Sequence, residues 1–184
     1  MEGSVMKLLP AKRPGADRGF TLLETVIVVA IMGFFLAVSI PSVLNTMAVR
    51  NLENKAHELQ TYLQMTKLQA VNTKIVHRVR FYQPTGTYWA YEMERFQPDG
   101  TWVRVGGAPR KDIPTTFNVT VFLPQDGADY VAVFTPVGAM ANFVAGQNSI
   151  VIQSQKLAHS NQEDERVLSL FMGGSIQYAK RKSS

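Results

Sequence analysis

Glu24 is the acid whose position demands most of its surroundings. It stands alone in a run that is almost wholly apolar from Phe20 to Ile40, and no residue from Thr25 to Val49 carries a charge. A carboxylate inside a membrane span costs on the order of 2.5–3.5 kcal/mol, less near the end of the span. Just ahead of it, Gly19 separates a basic leader from Phe20. The combination is costly unless something cuts before Phe20 and something else neutralises Glu24. The chemistry on offer is proteolysis and charge pairing.

Catalysis finds no constellation. The chain has no cysteine, and His57, His77 and His159 are scattered without ligand spacing. Asp126 and Asp129 flank Gly127, but calcium wants six to eight oxygen ligands, so the loop reads as a turn. Glu163-Asp164-Glu165 reads as a solvated loop before a strand. Tyr88, Trp89, Tyr91 and Trp102 cluster in one expected hairpin; strand aromatics of this kind fill a core or an interface more often than they stack sugars or bases. The C-terminal Lys180-Arg181-Lys182 reads as a mobile tail. It can track phosphates, with Arg78, Arg80, Arg104 and Arg110 as helpers, although a solvated tail is the default reading. No metal or other cofactor is implied.

The net charge of +5 adds little to the nucleic-acid case. The leader holds Lys7, Lys12, Arg13 and Arg18 against Glu2 and Asp17, which leaves +3 for the rest. With the leader and span set aside, roughly 140 residues remain, enough for one modest core.

Three readings compete for the N-terminus. Residues 20–40 as a helix give about 31 Å, close to the thickness of a bilayer's hydrocarbon. The leader cations place the N-terminus in the cytoplasm. A cleaved signal peptide, with Ala37-Val38-Ser39 as its site, needs a shorter apolar stretch and gains nothing from Glu24. A plain signal anchor leaves Gly19 and Glu24 as accidents. The third reading uses both.

Gly19-Phe20-Thr21-Leu22-Leu23-Glu24 resembles the leader junction of type IV pilins and type II secretion pseudopilins, and Pro41 matches a proline common in that family's N-terminal helix. The resemblance implies that a prepilin peptidase cuts between Gly19 and Phe20 and methylates the new amine of Phe20. It also implies that Glu24 pairs with the amine of a neighbouring subunit in a filament. The physics agrees: Gly19 lets the backbone extend into a tight protease site. The new cation lies one turn from Glu24, near the positive end of the helix dipole. Inside a bundle, leaving either charge unpaired is penalised, so the pair would set register.

The helix is expected to continue to about Asn72, with a kink or melted turn at Pro41. Ala48, Leu52, Ala56, Leu59, Leu63 and Ala70 recur at three- and four-residue steps as one apolar stripe. Lys55 and Lys67 read as solvated. From Lys74 the period changes to two, and about eight short strands follow between proline and glycine turns. They begin with Ile75–Tyr82 and end with Ser175–Tyr178.

The expected fold is α+β, a long helix against an antiparallel β-sheet head. Its segments are leader 1–19, transmembrane and filament-core helix 20–41, amphipathic extension 42–73, and periplasmic head 74–184. Phe134-Thr135-Pro136-Val137-Gly138 and the later Gly173-Gly174 resemble the H-type (GspH) pseudopilins and their FimT-like relatives. That resemblance implies a non-enzymatic minor subunit, anchored in the inner membrane and then part of a pseudopilus or pilus. Its partners would be the prepilin peptidase, membrane lipid, other pilins in a tip complex and a secreted cargo. The alternative is a FimT-like subunit that binds DNA for uptake. That pattern sets arginines directly after the final glycine, whereas Gly174 is followed here by Ser175-Ile176-Gln177.

Overall fold

The computed structural model describes residues 20–158 and 162–183, with the side chains of residues 38–43 excepted. The leader 1–19, including Gly19, lies outside the described residues, as does His159. The chain forms two compact units, Met1–Pro41 and Ser42–Ser184. One helix, α1 (Leu22–Thr73), runs through both. Its assignment is unbroken at Pro41, so the expected melted turn does not form.

In the first unit the helix opens with a side-chain cap. Thr21 Oγ1 accepts the Glu24 backbone N–H at 3.2 Å, and the Thr21 carbonyl accepts the Thr25 N–H. Thr-x-x-Glu is the spacing of a capping box, so Thr21 and Glu24 also define where the helix starts. Every described side chain from Phe20 to Ala37 is exposed. Among the described residues no helix is long and apolar enough to cross a membrane. The apolar run of the sequence continues through Val38 and Ile40, whose side chains are not among those described.

In the second unit α1 buries the expected stripe. Leu52, Ala56, Leu59, Leu63 and Ala70 are fully buried, and Ala48 nearly so. The helix ends where Lys74 turns to a φ of 59°, a left-handed residue of the kind that closes helices although it carries a Cβ. Ten strands follow. They are β1 (His77–Tyr82), β2 (Trp89–Phe96), β3 (Trp102–Arg104), β4 (Lys111–Ile113), β5 (Phe117–Phe122), β6 (Gln125–Asp126), β7 (Asp129–Phe134), β8 (Ser149–Ser154), β9 (Glu165–Leu170) and β10 (Ile176–Arg181). The short strands β4 and β6 go beyond the sequence reading, and β10 reaches three residues further than expected.

The strands form two antiparallel sheets. One has the order β3-β2-β1-β7-β6, with β4 beside the start of β2; the other has the order β10-β9-β8-β5. The core joins the α1 stripe to both: Val79, Phe81, Tyr91, Met93, Ala132 and Phe134 from the first, Val121, Ile150, Ile152, Leu168 and Leu170 from the second. Tyr62 ties helix to sheet through its hydroxyl, which donates to the Pro109 carbonyl and accepts the Met93 N–H. The four hairpin aromatics divide instead of forming a platform. Tyr91 is buried in the core, Trp89 packs at its margin, and Trp102 lies under the Arg78 guanidinium. Tyr88 accepts a hydrogen bond from Arg110.

Candidate assembly site

The N-terminal half of α1 presents one acid on an apolar rod. Phe20 is 81% exposed, and Leu22, Leu23, Val26, Val29, Phe34 and Phe35 are exposed on successive faces. Such a helix is stable only when covered on all sides, by lipid or by other helices. Among the described residues none pairs with the Glu24 carboxylate, while the Glu24 backbone N–H is satisfied by Thr21. The Phe20 amide nitrogen is four residues from Glu24, roughly 6 Å of helical rise. A free amine there, in this chain or an adjacent copy, would complete the charge pair.

The basic C-terminus is not a mobile tail. Lys180 and Arg181 belong to β10, paired with Arg166 and Glu165 of β9. The Lys180 ammonium bonds to Glu53 of α1, and Arg181 meets Glu165 at 2.7 Å. The Lys180 hydrogen bond is the chief reason the Glu53 carboxyl lies below its ordinary pKa, and the same bond raises Lys180. Lys182 follows and is also engaged. The Ser183 N–H and hydroxyl both donate to Asp164, at 2.8 and 2.7 Å.

Asp164 corrects the reading of its acidic run as a solvated loop. It is buried, and burial alone would push its carboxyl up. The Ser183 N–H, the Gln153 amide and the Ser183 hydroxyl outweigh that and hold it down, to about 2. Beside it Arg166 is fully buried, its guanidinium donating to the Glu163 and Glu165 carbonyls and lying 3.6 Å from Glu53. Glu53, Asp164 and Arg166 escaped the sequence reading. The one available signal was that Arg166 shares a strand face with Leu168 and Leu170.

Three of the four helper arginines, Arg78, Arg80 and Arg110, are likewise committed. Arg78 bonds to Glu94 at 2.6 Å and Asp126 at 2.5 Å; Arg80 meets Glu94 at 3.1 Å and Asp129 at 2.8 Å. Asp126 and Asp129 therefore face guanidinium groups. Arg110 meets Asp112 and Tyr88, and Arg104 lies opposite Glu94 in the β2–β3 register. Among the described residues no three potential metal ligands come together. Lys55 and Lys67, expected in solvent, are half-buried and bonded, Lys55 to Glu58 and Lys67 to the Gly174 carbonyl.

That last bond explains the paired turns of the head. The Thr135–Gly138 turn closes with a Gly138 N–H to Thr135 carbonyl bond, and the Phe171–Gly174 turn with a Gly174 N–H to Phe171 carbonyl bond. The Met140 N–H then reaches the Met172 carbonyl between them. Gly174 has a φ of +71°, and a Cβ there would lie 1.9 Å from the Gly138 carbonyl oxygen. At Gly138, with φ +83°, a Cβ would lie 3.0 Å from Lys67 Cε and 3.3 Å from Val71 Cγ2 of α1, a tighter fit than usual but looser than at Gly174. Two turns and the helix thus meet at a point where Gly174 has no room for a side chain and Gly138 has little.

Residues 15–40 match the prokaryotic N-terminal methylation motif. Among curated proteins no match to the sequence is found. Among solved structures, the chain is similar to the minor pseudopilin EpsH from the type 2 secretion system of Vibrio cholerae. The TM-score is 0.53 at 9% identity, over 70% of this chain and 96% of that one. It also aligns with the type IV minor pilin FimU of Pseudomonas aeruginosa strain PAO1, with a TM-score of 0.45 at 18% identity, over 70% of this chain and 92% of that one. The long helix packed on antiparallel strands is the pilin fold shared with EpsH, and the methylation motif runs from residue 15 into that helix.

Proposed function

We propose that the chain is a minor pilin-type subunit of the GspH/FimT kind, held in the inner membrane as a precursor and drawn into a type II secretion pseudopilus or a type IV pilus. Prepilin peptidase cuts between Gly19 and Phe20 and methylates the Phe20 amine. Residues 20–41 span the bilayer before assembly, with the head in the periplasm, and lie among the helices of other subunits afterwards. Glu24 meets the amine of a neighbour, so that a carboxylate costly in lipid becomes a register device in the filament. The protein has no catalytic role; its head presents surface to other subunits and to cargo.

One observation carries this reading: the methylation motif opens a helix whose described apolar side chains from Leu22 to Ala37 are all exposed. DNA uptake is the weaker alternative, because Lys180 and Arg181 of the basic strand and Arg78 and Arg80 of the first sheet spend their charge on internal carboxylates.

Processing and assembly are tested apart. In cells with the peptidase, Gly19→Ala slows leader removal, and a bulky residue at 19 blocks it, read by mass spectrometry of the membrane fraction. Glu24→Ala is cut normally yet is missing from sheared filaments. Normal incorporation of that variant would refute the pairing role.

A further inference from the structure

Two of the head's unpaired cations, Arg50 and Lys156, share one cleft. Leu44, Met47, Arg50, Thr116, Phe117 and Lys156 line a space of about 530 Å³ where the start of the second unit's helix meets β5 and the end of β8. Leu44 is 45% and Met47 57% exposed, giving the cleft an apolar floor open to its surroundings. Arg50 and Lys156 are exposed at its rim. Neither enters any ion pair among the described residues, whereas Arg166, Lys180 and Arg181 all meet carboxylates.

We propose that this cleft binds the headgroup of an anionic phospholipid, with Arg50 and Lys156 on the phosphate and Leu44 and Met47 against the glycerol and upper acyl chain. The proposal rests on the reading of residues 20–41 as a membrane span. Leu44 is three residues past Pro41, at most about 11 Å of chain, so it cannot leave the headgroup region of a bilayer that the preceding residues cross. Helical side chains tilt toward the N-terminus, which carries the Arg50 guanidinium the same way, and long basic side chains extend to reach phosphates. A DNA backbone asks for a row of cations over polar surface; two cations over an apolar floor suit a lipid better. The contact would hold the head against the membrane until assembly pulls the subunit out.

The test uses the full chain in phosphatidylcholine vesicles with a trace of spin-labelled phosphatidylglycerol or spin-labelled phosphatidylcholine. The motionally restricted fractions give the preference for the anionic lipid. At low ionic strength Arg50→Gln and Lys156→Gln each lower that preference about fivefold, and together about 25-fold. Arg50→Lys keeps it. The leader cations are present in every variant and cancel in the comparison. An unchanged preference in the double variant overturns the proposal. So does retention of duplex DNA that is lost in the double variant while the lipid preference stays, which would assign the cleft to nucleic acid. Alkaline extraction of the same vesicles separates the two layers of the reading. A chain washed off the vesicles defeats the span and the lipid site together; a chain that stays but shows no loss defeats the lipid site alone.

Discussion

Glu24 and Asp164 are acids that the fold treats in opposite ways. Glu24 keeps an open carboxylate on an apolar rod, whereas Asp164 is buried and saturated by Ser183 and Gln153. Glu24 was legible because its context is local: the residues that make it costly are its neighbours in the chain. Asp164 was not, because its partners stand 19 and 11 positions away, and two flanking glutamates disguise it as a solvated run. Its carboxyl titrates near 2 in the folded chain and near 3.9 when unfolded, so the stabilisation it gives is complete above about pH 4. As pH falls through about 2 that stabilisation is lost, since the unfolded chain takes up the proton first. Asp164→Asn is expected to cost about 1–3 kcal/mol at neutral pH. Its urea midpoint should then fall less than that of the parent chain between pH 4 and pH 2.

Among the elements, helix α1 was the most readable, since a 3.6-residue period survives any tertiary context that buries one face. Leu59→Ala, at the centre of the buried stripe, is expected to cost about 2–5 kcal/mol in a urea titration. Strand β10 was cut short in the sequence reading because three adjacent cations hide a period of two. Its extension depends on Glu53 and Glu165, which lie far away in sequence. The short strands β4 and β6, of three and two residues, carry no period at all and exist through pairing with β2 and β7. The docked glycine turns were visible as a pattern but not as a contact. Gly174→Ala forces a Cβ onto the Gly138 carbonyl at a left-handed φ, and about 2–5 kcal/mol of destabilisation follows. Gly106→Ala, in open space, should stay within about 0.5 kcal/mol. If the two substitutions cost the same, the turns do not lock the head to α1.

For the whole molecule, the division of labour follows from where each unit can bury its apolar surface. The unit from Ser42 onward closes its own core between helix and sheets, and every residue of that core lies at Ala48 or beyond. The described part of the first unit buries nothing, so its sixteen helical residues from Leu22 to Ala37 await a lipid or helical environment that a single chain cannot provide. The account stands or falls on what the chain's first residue becomes. Mass spectrometry of the N-terminal peptide of the protein recovered from cells that carry a prepilin peptidase tests it most directly. The account predicts a chain beginning at N-methylated Phe20; a mature chain that begins at any other residue, or keeps residues 1–19, contradicts it.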